Sequence, residues 1–189
     1  MNDNRPRKLA ATERRIARRS SRGFNIVELM VGLTIVSILV GLSAPSFREY
    51  TRETRATAAQ NDLITAMTLA RSEALRRSAP VAVCASSDGN TCSGSDKWST
   101  GWLAFTDATG VSGVLDATDV ALQSWPGNSS ELVLTGQAGL KFVRYLPSGM
   151  IEAAAPAALA LYMKGCSGPK KRAISIAIAG FVSTTKTNC

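Results

Sequence analysis

The sequence predicts an α+β protein, a long N-terminal α-helix packed on an antiparallel β-sheet domain. Three observations carry that prediction. The run from Phe24 to Phe47 holds a single charge, Glu28, and reads as uninterrupted apolar helix. Beyond it, Ala56, Ala59, Leu63, Met67, Ala70 and Ala74 recur at three- and four-residue spacing, the stripe of an amphipathic helix. From Pro80 onward the pattern changes to short β-rich runs separated by Gly, Ser, Asp and Pro. With 189 residues, 45% hydrophobic and 19% charged, the chain has enough apolar material to bury a core.

Charge is unevenly placed. The net charge is +8, yet residues 1–23 alone hold eight basic side chains (Arg5, Arg7, Lys8, Arg14, Arg15, Arg18, Arg19 and Arg22) against Asp3 and Glu13. From Phe24 onward there are 14 basic and 12 acidic residues, so the body is nearly neutral. Histidine is absent, which excludes His-dependent triads, His zinc sites and imidazole acid–base catalysis. No Walker loop or dinucleotide fingerprint is present, and neither the Ser-rich segments nor the lysines form a recognisable nucleophile set. The chain reads as a non-enzyme with no cofactor.

Residues 1–23 read as a basic leader and residues 24–47 as a membrane-spanning and assembly helix. Leu29 to Phe47 is a stretch of 19 uncharged residues, about 28 Å of helix against a hydrocarbon core of roughly 30 Å. The basic leader is expected to stay cytoplasmic and the C-terminal body to cross the membrane. A secretory signal peptide fits poorly, because the basic region is long and no A-x-A site precedes a hydrophilic start. The basic-to-apolar boundary falls instead at Gly23–Phe24. A cut there on the cytoplasmic side removes the charge and leaves the helix, which can then be drawn out of the bilayer. Ser37 and Gly41 offer a small-xxx-small site for close helix approach.

Residues 48–79 read as the amphipathic half of the same helix. Pro45 deletes one backbone hydrogen bond and is expected to kink it. Arg52, Arg55, Asp62, Arg71, Glu73 and Arg77 fall mainly off the apolar stripe, and Glu73–Arg77 is a favourable i,i+4 pair. Ser78-Ala79-Pro80 ends the helix.

Residues 80–189 read as a disulfide-pinned β domain. The expected strands are 81–85, 101–107, 120–125, 131–135, 140–146, 159–164 and 172–178, forming an antiparallel sheet against the helix. Cys84, Cys92, Cys166 and Cys189 leave no odd thiol and allow three pairings. The turn-rich loop between Cys84 and Cys92 favours a local bridge, and Cys166 with Cys189 would pin the C-terminus. A four-cysteine zinc site lacks the short C-x2-C spacing. Disulfides agree with a periplasmic body. Trp98, Trp102 and Phe105 are expected in the core. Asp107, Asp116 and Asp119 lack calcium-loop spacing and are expected as solvated turn residues.

The stretch Arg22-Gly23-Phe24-Asn25-Ile26-Val27-Glu28-Leu29, followed by an apolar helix and Pro45, resembles the class III signal of type IV pilins and type II secretion pseudopilins. The resemblance implies cleavage between Gly23 and Phe24 by a prepilin peptidase and N-methylation of Phe24. It also implies a role for Glu28 in filament register, through the N-terminal amine of a neighbouring subunit. Asn25 stands where many members have Thr. Ala70-Arg71-Ser72-Glu73-Ala74, the 81–107 region with Cys84, Asp88-Gly89, Cys92, Trp98 and Trp102, and Phe142-Val143-Arg144-Tyr145-Leu146-Pro147-Ser148-Gly149 sharpen this. Together they resemble the GspH/FimT group of minor pilins and pseudopilins, which have a lollipop shape.

What the group implies is a structural subunit of a type IV pilus or type II secretion pseudopilus in a Gram-negative envelope. It would begin as a single-pass inner-membrane protein and be assembled near the filament tip or in a priming complex. Its partners would be other minor and major pilins or pseudopilins, the prepilin peptidase and the inner-membrane assembly platform. Because the tip subunit lacks the glutamate, Glu28 suggests a place just beneath it. The alternative is DNA capture for natural transformation. FimT-like members bind DNA through a C-terminal Gly-Arg-x-Arg element. At that place this chain has Gly180-Phe181-Val182-Ser183, without either arginine, which leaves Lys164, Lys170, Lys171, Arg172 and Lys186 as candidate DNA contacts.

Overall fold

The structure, a computed structural model, describes residues 23–127 and 130–189, with the side chains of 42–46 left aside. The leader up to Arg22 and the side chain of Pro45, with the bend expected there, lie outside the described residues. The chain falls into two units, Met1–Ala44 and Pro45–Cys189. Helix α1 (Ile26–Arg77) contributes to both.

Within the second unit, α1 buries Ala56, Ala59, Leu63, Ala66, Met67, Ala70 and Ala74. Five of those seven are alanine, so the sheets approach the helix backbone closely. On the outer side Thr51, Thr54, Thr57, Thr65 and Thr68 donate their hydroxyls to carbonyls four residues back. The helix stops where Ser78 takes a left-handed φ of 52° and Pro80 removes a donor.

Eight strands follow: β1 (Val81–Ala85), β2 (Gly101–Thr106), β3 (Ala121–Pro126), β4 (Leu132–Gly136), β5 (Phe142–Tyr145), β6 (Ala157–Met163), β7 (Lys171–Ile176) and β8 (Val182–Thr187). They form two four-stranded sheets, in the orders β3-β2-β1-β5 and β4-β6-β7-β8. Every pairing is antiparallel. The sheets are tied by a Lys97–Thr135 bridge, by Ser99 exchanging hydrogen bonds with Leu134, and by Trp98 Nε1 donating to the Leu140 carbonyl at 2.9 Å.

The helix stripe and the inner faces of both sheets make one core, with Val81, Val83, Trp98, Trp102 and Tyr145 meeting Leu134, Leu159, Leu161, Ile174 and Ile176. Alternate residues of β1 and β2 (Ala82, Cys84, Leu103 and Phe105) form a second cluster on the opposite face, under Leu115 and Phe142. Sheet β3-β2-β1-β5 is therefore covered on both sides at its centre. That is why Val81-Ala82-Val83-Cys84-Ala85 reads as a continuous apolar run and not as an alternation.

Candidate functional site

Asn25 precedes the first turn of α1; its side chain accepts from the Val27 N–H at 3.4 Å and its carbonyl from the Leu29 N–H at 3.1 Å. Glu28 lies in that first turn, where the helix dipole favours a carboxylate. Every described side chain from Phe24 to Gly41 is exposed, and Phe24 reaches 79%. Thr34 and Ser37 turn their hydroxyls onto the Val31 and Leu33 carbonyls, so the exposed surface from Ile26 to Gly41 is apolar all round apart from Glu28. Among the described residues no helix is long and apolar enough to cross a membrane.

Where the β domain begins, α1 meets sheet β4-β6-β7-β8 through charge. Lys170 Nζ lies 2.6 Å from Glu49, Arg172 Nη2 2.6 Å from Glu53 and 2.9 Å from the Thr57 hydroxyl, and Lys186 Nζ 3.2 Å from Glu53. The hydrogen bond from Lys170 holds the Glu49 carboxyl below the usual range. Burial opposes ionisation of Glu53, but Arg172 and Lys186 outweigh it and its pKa is also lowered. Arg52 pairs with Glu131 at 3.7 Å and donates to the Lys164 carbonyl.

The five cations singled out for DNA thus have different surroundings. Lys170, Arg172 and Lys186 are paired to helix carboxylates, and Lys171 lies 5.9 Å from the Tyr162 ring centroid. Arg172 is a buried packing residue, and Lys164 has an exposed side chain.

Asp107 differs from the solvated turn residue expected. It is fully buried, accepts from the Gly113 N–H at 2.8 Å and faces Arg144 Nε at 3.0 Å. Burial pushes its carboxyl up despite those partners. Arg144 also donates to the Asp107 carbonyl and to Glu152, so it clamps the loop after β2 onto β5. Asp116 caps its own turn through Thr118. Among the described residues no three His, Cys, Asp or Glu side chains gather to hold a metal.

The cysteines pair as Cys84–Cys92 and Cys166–Cys189, with Cα separations of 5.7 and 6.0 Å. Inside the first loop Asp88 accepts from the Thr91 hydroxyl and from the Asn90 and Thr91 N–H groups, which hold its carboxyl far below the usual range. The second bond ties the turn between β6 and β7 to Cys189, just after edge strand β8.

A model of the family described as type II transport protein GspH matches residues 59–180. The chain belongs to the GspH family. No protein of curated function matches it. Among solved structures it is similar to the type IV minor pilin FimU of Pseudomonas aeruginosa in two crystal forms. One gives a TM-score of 0.53 at 20% identity, covering 68% of this chain and 90% of that one. The other gives 0.56 at 18%, covering 71% and 90%. The minor pseudopilin EpsH from the type 2 secretion system of Vibrio cholerae gives 0.42 at 13%, covering 70% and 97%.

The family match ends at Gly180, the first residue of the Gly180-Phe181-Val182-Ser183 stretch. At that corner Arg71 reaches in from the helix. Arg71 donates through Nε to the Gly149 carbonyl at 2.9 Å and through Nη2 to the Ala179 carbonyl at 3.1 Å, and its guanidinium lies 4.2 Å from the Phe181 ring centroid. Gly180 has a φ of +83°, and a Cβ there would come within 2.0 Å of the Gly149 carbonyl oxygen. The residue spacing gave no hint of this lock, since Arg71 reads as one more solvent-facing charge off the helix stripe.

Proposed function

We propose that this minor pilin or pseudopilin of the GspH family works as a processed filament subunit. It starts as a single-pass inner-membrane protein with its leader in the cytoplasm and its β domain in the periplasm. A prepilin peptidase cuts between Gly23 and Phe24, Phe24 is N-methylated, and an inner-membrane platform draws the subunit into a pilus or pseudopilus beside other pilins. The observation that carries this reading is the helix from Ile26 to Gly41, exposed and apolar on every side with Glu28 alone charged.

Such a surface has no place in water and needs lipid or neighbouring helices. A carboxylate placed in it costs about 2.5–3.5 kcal/mol at a bilayer centre, so Glu28 calls for a cationic partner. The free amine of a neighbour's Phe24, created by the cut, is such a partner. Pro45 leaves one helix carbonyl without its usual donor and gives α1 a point where it can bend during extraction. The β domain supplies a rigid, disulfide-bonded head that contacts its neighbours.

DNA capture has less support. Phe181 and Ser183 stand at the arginine positions, and three of the five candidate cations already face carboxylates. The processing reading is tested by mass spectrometry of the chain recovered from membranes with and without an active prepilin peptidase. A mature form beginning at N-methylated Phe24, seen only with the peptidase, is expected. A chain that retains its leader in both strains contradicts the reading.

A further inference from the structure

The start of the β domain carries more positive charge than its ion pairs neutralise. Arg48, Arg52 and Arg55 of α1 lie beside five basic residues between Lys164 and Lys186, against Glu49, Glu53 and Glu131. The rest of the chain from Phe24 has six basic and nine acidic residues, so the positive surplus is concentrated at this one end. Arg48, Arg52 and Arg55 are spaced i, i+4, i+7 and share one helix face. With Phe47, Thr51 and Glu131 they line an open groove of about 500 Å3. Phe47 and Tyr50 are each 70% exposed beside it.

We propose that this groove is a seat for anionic phospholipid headgroups, on which the β domain rests while the subunit waits in the bilayer. The inference builds on the membrane-anchored reading above. In the sequence the apolar run ends at Phe47 and Arg48, Arg52 and Arg55 follow it directly, so the groove lies within a few residues of the segment read as membrane-spanning. Exposed aromatic rings suit the membrane–water boundary, and guanidinium forks match phosphate oxygens. Glu49 and Glu53 are turned to Lys170, Arg172 and Lys186, and the three groove arginines outnumber the one carboxylate that lines the groove with them, Glu131, which faces Arg52. DNA phosphates offer the same anion, but only a lipid surface adjoins the groove in sequence, through the apolar run that ends at Phe47.

The test uses the full chain in nanodiscs, one subunit per disc, of phosphatidylcholine alone or mixed equally with phosphatidylglycerol. Amide exchange is followed for 164–171 and 47–55. Phosphatidylglycerol is expected to raise protection at least about fivefold at 50 mM salt, and the gain to fade as salt screens the contact. Arg48→Gln with Arg55→Gln is expected to remove the gain while β1 amides stay protected, which shows an intact fold. Equal protection in both lipids overturns the proposal and leaves the filament reading standing. So does duplex DNA that protects the same amides in phosphatidylcholine discs as strongly as phosphatidylglycerol does. A chain that enters neither disc overturns the membrane reading as well.

Discussion

Arg172 Nη2 stands 2.6 Å from Glu53 Oε1 and 2.9 Å from the Thr57 hydroxyl, its side chain only 3% exposed. A strand residue that reads as a surface cation is thus a cross-brace between β7 and the helix. The pair joins α1 to the sheet that holds the C-terminal disulfide.

That brace sets an unequal pair of outcomes. Arg172→Ala is expected to lower unfolding free energy by about 1–3 kcal/mol, because it strips contacts from a buried site and leaves Thr57 and Glu53 short of a donor. Glu53→Ala is expected to cost at least as much, since it leaves a buried guanidinium unpaired. Arg172→Met, which fills the volume without charge, is expected to be milder than either. Urea unfolding of the three variants checks the order.

Acid is expected to weaken the same region. The Glu49 and Glu53 carboxyls have folded pKa values below their ordinary ones, through hydrogen bonds from Lys170 and against burial through Arg172 and Lys186. A depressed folded pKa gives stability that is present above the unfolded value, about 4.3, and lost as pH falls through the folded value. Stability measured from pH 6 down to pH 3 is therefore expected to fall more steeply for the native chain than for Glu53→Gln. Parallel slopes would contradict the assignment.

At the corner of Gly180, backbone conformation and space agree. Gly180→Ala forces a side chain into φ +83° and against the Gly149 carbonyl. A loss of more than about 1 kcal/mol is expected, read as a lower thermal midpoint. Phe181→Ala, whose ring is 63% exposed, is expected to cost less than that.

The two disulfides close loops of different length, with separations of 8 and 23 residues. Loop-closure entropy makes the Cys166–Cys189 bond worth about 1 kcal/mol more than Cys84–Cys92. Paired Cys→Ser variants, compared by denaturant midpoint, are expected to follow that order.

Much of this architecture is legible because its periodicities are simple. The three- and four-residue spacing of Ala56 to Ala74 marks the buried helix face, and the runs at 81–85 and 101–106 mark strands that are covered on both sides. Strand β8 escaped because Val182-Ser183-Thr184-Thr185-Lys186-Thr187 is polar; it lies at a sheet edge and depends on β7 for order. Its β-branched threonines were the available signal. The division into two sheets is set by which strands pair, β1 with β2 and β5 but β4 with β6, and no local pattern encodes that choice. For the same reason Asp107 and Arg172 read as solvated: their partners, Arg144 and Glu53, are distant in sequence.

The central claim is that this GspH-family chain acts as a filament subunit through its N-terminal helix. The most direct test is an in-frame deletion strain scored together for sheared surface pili and for exoprotein release. It is complemented with the native gene or with Glu28→Ala. The account predicts loss of one of the two outputs, restored by the native gene and not by Glu28→Ala, although the variant is still cleaved. Both outputs unchanged on deletion, or full rescue by Glu28→Ala, would contradict it.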